Sequence, residues 1–263
     1  FIRWKHQQDP KANPSFIFSA NVNAGSSTYH KNNSFNANDY LSNTFQSSIN
    51  LTRKWDNLPL NLSSNLRHSQ NTQTKIVNLA VPDINFNMNR IFPFKDIGKK
   101  GKINWINKTG ISYNLNVKNS LSIADSLLFT KTSIANLRNG AQHNIPISTS
   151  MKIFNYFTLS PKINLKERWY LSQIEKKWNG NQIITDTLNK FTRGHEYQFS
   201  TSLNTKIYGI VNFNKNKIKA IRHVVTPNLS FNYRPDFSNV KYGYYKNVQI
   251  DSLGNTQIYS IMQ

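Results

Sequence analysis

Between residues 157 and 171 the odd positions read Phe157, Leu159, Pro161, Ile163 and Leu165, while Lys162, Asn164, Lys166 and Arg168 fill the alternate ones. On a strand, residues two apart share a face, so three cations stand together opposite an apolar face. Cations so placed can offer charge-assisted hydrogen bonds to phosphate, which are strong where water is limited. Arg67, Lys108, Lys118, Lys152, Lys206 and Arg234 occupy equivalent polar positions in or beside other alternating runs. Over the whole chain 33 Lys and Arg face 12 Asp and Glu, a formal charge of +21. Such an excess needs an anionic partner, or a large structure that holds the charges apart. Nucleic acid and a phosphorylated lipid are both candidates. The basic residues are spread over strands and turns rather than gathered in one stripe, and no nucleic-acid-binding motif occurs, which argues against nucleic acid.

Other chemistry is poorly represented. The six histidines, His6, His30, His68, His143, His195 and His223, are scattered without paired ligand spacing, so no metal is expected. Cysteine is absent, which excludes a thiol nucleophile, Cys-ligated zinc and a disulfide scaffold. Glu167 and Glu196 lie in or beside strands, where ion pairs with Arg168 or a nearby lysine are the expected role rather than acid–base catalysis. There is no G-x-S-x-G elbow and no phosphate-cradling glycine loop. The expectation is a protein that is not an enzyme and carries no cofactor.

The elements that must position the cations are strands. Apolar residues recur at every second position, roughly over residues 15–24, 44–55, 60–67, 76–88, 103–117, 141–153, 157–171, 197–207 and 226–233, with partial strands at 1–5 and 259–262. The 103–117 run looks the clearest. Most runs have the length of a membrane β-strand, about 9–11 residues, rather than the 5–6 common in globular proteins. Short connections (56–57, 93–102, 154–155, 212–219) take turns with long polar ones (25–39, 119–140, 171–194, 235–257), and the short link 69–74 is the one weak member of the long set. That alternation is the layout of an up-and-down outer-membrane barrel. The fold class expected is therefore all-β: an antiparallel up-and-down transmembrane β-barrel, here a partial barrel of about 10–11 long strands. A mean hydropathy of −0.58 with 13% aromatics suits a folded chain rather than a disordered one. Residues 1–263 are expected to form a single domain within a larger barrel, because the chain starts and stops inside apparent strands.

Aromatic residues gather near strand ends, and Trp55, Trp105, Phe154, Tyr156, Trp169 and Tyr170 are candidates for interfacial girdles. Pro82, Pro146, Pro161 and Pro227 fall at strand positions, where each removes a ladder hydrogen bond and should mark bulging or weakened pairing. Around Pro82 the apolar parity shifts from Val77, Leu79 and Val81 to Ile84, Phe86 and Met88, so a bulge is expected there.

Four stretches carry a more specific signal: residues 8–14 (QDPKANP), 66–73 (LRHSQNTQ), 137–146 (LRNGAQHNIP) and 218–227 (IKAIRHVVTP) followed by Phe231, Tyr233 and Pro235. Together they resemble the divergent branch of the LptD family of lipopolysaccharide-assembly proteins. The resemblance implies an outer-membrane barrel of a Gram-negative bacterium that passes lipopolysaccharide into the outer leaflet, in contact with outer-membrane lipid. It further implies a plug lipoprotein of LptE type and a periplasmic Lpt bridge as partners. On that basis the nine polar-face cations become candidate contacts for lipopolysaccharide phosphate, and Pro161 and Pro227 candidate gate residues by analogy. Two alternatives remain open at this point: a porin or nutrient-receptor barrel for small solutes, and a soluble β-sheet adhesin that binds an anionic polymer.

Overall fold

The computed structural model describes residues 1–26, 32, 44–97, 104–213 and 219–262. Alternating residues put one apolar and one polar face on every strand, and such strands are stable only side by side. The chain forms β1 (Ile2–Gln7), β2 (Phe16–Ala24), β3 (Thr44–Lys54), β4 (Leu60–Asn71), β5 (Ile76–Ile91), β6 (Gly110–Ala124), β7 (Arg138–Ser148), β8 (Met151–Ile153) and β9 (Phe157–Tyr170). A hairpin of β10 (Gln173–Trp178) and β11 (Ile183–Leu188) follows, then β12 (Thr192–Asn204), β13 (Ile207–Asn212), β14 (Ala220–Val225), β15 (Asn228–Tyr233), β16 (Tyr245–Gln249) and β17 (Thr256–Ser260). Strands β1 to β9 with β12 and β15 make one eleven-stranded antiparallel sheet in chain order, with β8 extending the line of β7 along β9. The sheet does not close among the described residues: β1 and β15 are its two ends. This is the meander expected of a partial barrel.

Pairing fixes the two faces. One row runs through Leu62, Phe86 and Leu115, another through Ile147, Ile163, Phe199 and Tyr233, and a third through Leu159, Leu203 and Leu229. All three lie on the same side. No second sheet covers this side among the described residues: Ile163, Leu165, Tyr197, Leu229 and Phe231 are exposed on it, whereas Phe45, Val77, Leu121 and Ile123, towards the loop-side ends of β3, β5 and β6, are buried. Only Phe45 and Val77 are large and fully buried among the described residues. A soluble sandwich would bury such a face against a second sheet. Nothing of that kind is present among the described residues.

The opposite face is staggered. Following hydrogen-bonded neighbours, Lys54, Asn61, Asn87, Asn114, Asn144, Lys166 and Glu196 form one continuous row. On β3 this row passes through the last residue of the strand, next to the β3–β4 turn. On β12 it passes close to Thr192, at the opposite rim. Each strand is therefore displaced along its neighbour, as strand tilt in a barrel wall demands. The β13–β14 hairpin keeps the same register as β12–β15, so it prolongs that pair past the break at Lys206 and Pro227.

At Pro82 the expected bulge is present. Asn65 pairs with Asp83 but Arg67 with Ala80, and on the other side Ala80 pairs with Ser120 but Ile84 with Val117. One additional residue in β5 thus keeps Val77, Leu79, Ile84, Phe86 and Met88 on a single face despite their change of parity. The Val81–Pro82 peptide is cis.

Two segments differ from the sequence reading. In the 103–117 run, Ile103 lies outside the described residues, Asn104–Asn107 is a single helical turn, and β6 begins only at Gly110. Local hydrogen bonds explain this: Thr109 Oγ1 donates to the Trp105 carbonyl at 3.0 Å and the Thr109 amide to the Ile106 carbonyl at 2.9 Å. The backbone is satisfied within the turn and does not enter the ladder. The strand at 259–262 pairs with β16 rather than joining the wall.

Long connections emerge at one rim, the loop side, and most compact ones at the other, the turn side. The 25–39 loop lies largely outside the described residues, as does most of the 212–219 turn. On the loop side, hairpins β10–β11 and β16–β17 pack together through Val248, Tyr259 and Ile261 against Ile174, Ile183 and Met262. The Ile174 amide donates to the Ile261 carbonyl at 2.9 Å, and the Lys176 amide to the Tyr259 hydroxyl at 3.1 Å. The β16–β17 turn is built on Asp251. Its carboxylate accepts from the Asn255 side chain at 2.6 Å and from the Leu253 and Asn255 amides, both at 3.0 Å. These bonds, the Asn255 side chain first, hold its pKa below the ordinary aspartate value. The carboxylate form therefore steadies the turn at neutral pH, and that contribution is lost as pH falls through the lowered pKa. Protection of the Leu253 and Asn255 amides, taken as the intrinsic exchange rate at each pH divided by the observed one, should fall on acidification, and Asp251→Ala should remove that protection at neutral pH and leave none to be lost to acid over the same range.

Candidate functional site

The polar face is built largely from amides and hydroxyls. Beside the row already described runs a second, Thr52, Ser63, Asn85, Asn116, Gln142, Arg168 and Gly194. Asn114 donates to Asn87 and Asn116 donates to Asn114, linking the two rows. Such a surface presents donors and acceptors at strand spacing while carrying little fixed negative charge.

The cations divide by partner. Arg67 pairs with Asp83 beside the Pro82 bulge. Arg168 and Arg234 share the carboxylate of Glu196, the second at 2.9 Å, so one negative charge answers two positive ones. That is the ion-pair role expected of Glu196. Glu167 lies on the apolar face instead and pairs with Arg193 at 2.5 Å. Lys118, Lys162 and Lys166 lie on the polar face without an ion pair among the described residues. Lys108 sits in the turn before β6 and Lys206 between β12 and β13, both outside the wall strands, while Lys152 lies in β8 at the turn-side rim. The structure thus gathers Arg168, Lys166 and Arg234 around Glu196 and leaves Lys108, Lys152 and Lys206 at the rim.

A cleft of about 490 Å³ opens on this face at the loop-side ends of β6, β7 and β9, lined by Lys118, Arg138, Gly140 and Tyr170 among others. Tyr170 therefore faces the polar side and is not an outward interfacial aromatic. Arg138 escaped the sequence reading because Asn119 interrupts the alternation. Leu121 and Ile123, which resume it, were the available sign that β6 runs on to Ala124.

Trp55, Trp105, Phe154 and Tyr156 all lie at the turn-side rim, and Phe154 is 82% exposed. Trp169 lies on the apolar face near the loop side, in one cross-strand row with Val117, Ala141 and Arg193. It donates to Glu167 at 2.7 Å and packs on His143 with ring centroids 4.1 Å apart. Tyr113 and His143, 2.7 Å apart, continue this polar patch on the apolar face, which alternation alone did not reveal. The four prolines coincide with interruptions of pairing. Pro82 marks the bulge; Pro146 faces a gap in the β6–β7 ladder; Pro161 faces the break between β7 and β8; Pro227 separates β14 from β15.

No group of three or more His, Asp or Glu side chains that could hold a metal occurs among the described residues. A family model described as LptD protein matches residues 1–263. No curated protein matches the chain.

Proposed function

Because the chain belongs to the LptD family, we propose that it forms wall of an outer-membrane barrel that carries lipopolysaccharide to the outer leaflet of a Gram-negative bacterium. The observation that carries this is the eleven-stranded antiparallel sheet whose apolar face, covered by no second sheet among the described residues, is largely exposed from β9 to β15, while its other face is amide-rich and cationic. Contiguous apolar surface of that extent is rare on soluble monomers. Lipid is the solvent that accepts it, provided every strand edge is paired. The polar face then lines the interior, where Lys118, Lys162, Lys166 and the Glu196 cluster favour an acidic, phosphorylated cargo. The pairing breaks at Pro146, Pro161 and Pro227 are where the wall would part most readily. A plug lipoprotein of LptE type and a periplasmic Lpt bridge are the partners this role requires, and the protein performs no covalent chemistry.

Depletion of the full-length protein in its native host should lower surface lipopolysaccharide, read by whole-cell labelling of the saccharide. Unchanged surface lipopolysaccharide, together with solute flux through the purified protein in liposomes, would replace this function with that of a solute channel. Solubility without detergent would instead point to an adhesin.

A further inference from the structure

We propose that the loop-side cleft bounded by Lys118, Arg138, Gly140 and Tyr170 is a binding site for an acidic saccharide; that such a sugar reaches it as part of a lipid rests on the transport role above. Three other polar-face arginines are answered by carboxylates, Arg67 by Asp83 and the pair Arg168 and Arg234 by Glu196. No Asp or Glu lines this cleft, and neither Lys118 nor Arg138 has an ion pair among the described residues. Their positive charge is available to a ligand.

The register places them together. Lys118 pairs with Gly140 and Ser120 with Arg138, so the two cations are diagonal neighbours on adjacent strands. Diagonal positions of this kind lie about 7–8 Å apart at the backbone, within reach of one another for long side chains. Both can therefore close on a single phosphate or carboxylate. Between them the wall is bare: a Cβ at Gly140 would stand 3.2 Å from Cε1 of Tyr170. The missing side chain lets the Tyr170 ring lie over the backbone and form one wall of the cleft.

The size and the neutral groups point beyond a bare anion. A volume of about 490 Å³ falls in the range of small-molecule sites and far exceeds a phosphate. Asn116, Gln142, Ser120 and Ser172 supply hydroxyl and amide partners, and an aromatic face suits the C–H side of a sugar ring. Two cations, neutral polar groups and one ring are the complement of a sugar that bears an acidic substituent.

The test uses the full-length protein in detergent and calorimetric titration with deacylated, phosphorylated lipopolysaccharide saccharide, its dephosphorylated form, intact lipopolysaccharide and inorganic phosphate. The phosphorylated saccharide should bind, and loss of its phosphate should weaken it at least tenfold. Lys118→Gln with Arg138→Gln should do the same, and Gly140→Leu should weaken the saccharide by displacing the Tyr170 ring. Lys176→Gln, on the β10–β11 hairpin, should bind as the unaltered protein does. Intact lipopolysaccharide with the same dependence on Lys118 and Arg138 identifies a lipid as the source; dependence seen only with the free saccharide identifies a soluble acidic sugar. Full affinity in the double variant, or inorganic phosphate binding as tightly as the phosphorylated saccharide, overturns the site. Because these are binding measurements, they stand or fall separately from surface lipopolysaccharide in the depleted host.

Discussion

Ile163→Arg should destabilise the wall in a bilayer by about 2–4 kcal/mol, while Asn164→Arg beside it should cost less than about 0.5 kcal/mol. The two residues are neighbours in the middle of β9 and differ only in face. Ile163 shares its row with Ile147, Phe199 and Tyr233, whereas Asn164 pairs with Pro146 and Gln198 on the amide-rich side. An arginine among lipid tails gives up its hydration, and in the interior it keeps water. Urea titration of the full-length protein folded into vesicles, followed by heat-modifiable gel mobility, gives both numbers. Equal costs at the two positions would sink the assignment of faces, and with it the barrel.

Removing the carboxylate shared by two arginines should have the next largest effect. Glu196 retains 17% of its side-chain exposure and holds Arg168 and Arg234, which retain 26% and 57%. In Glu196→Ala the Arg168 guanidinium stays partly buried without its partner, a penalty of about 1–3 kcal/mol. Arg234 is more exposed, and its share is smaller because solvent screens it. Arg168→Ala introduced alongside should recover part of the loss, since the stranded cation is then gone. The same vesicle titration decides it: additive losses in the double variant would mean the pair contributes nothing jointly.

What could be read without coordinates was the repeating part of the fold. Alternation at residues 157–165 and 76–88 needs no partner to be recognised, and even the Pro82 bulge announced itself through the changed parity of Ile84, Phe86 and Met88. Alternation failed where hydrogen bonds close locally, as at Asn104–Asn107, where Thr109 caps a turn within an apparently regular run. It failed also at Thr256–Ser260, since an apolar stripe packed on another hairpin reads like one facing lipid. The site was less legible than the wall. Which carboxylate meets which arginine depends on register, and Glu196 lies 28 residues from Arg168 in the chain. Glu167 and Glu196 differ by one in parity, yet that single step sends them to opposite faces and to different arginines. Likewise Tyr170 and Trp169, adjacent aromatics at one strand end, part company across the sheet.

The row of Lys54, Asn61, Asn87, Asn114, Asn144, Lys166 and Glu196 leaves β3 beside the turn-side rim and arrives on β12 beside the loop-side rim. It is thus no belt at constant depth but a ramp. A sugar chain passed sideways from one side chain to the next, across strands rather than along them, would climb from one side of the membrane toward the other while meeting mostly the same amide at every step.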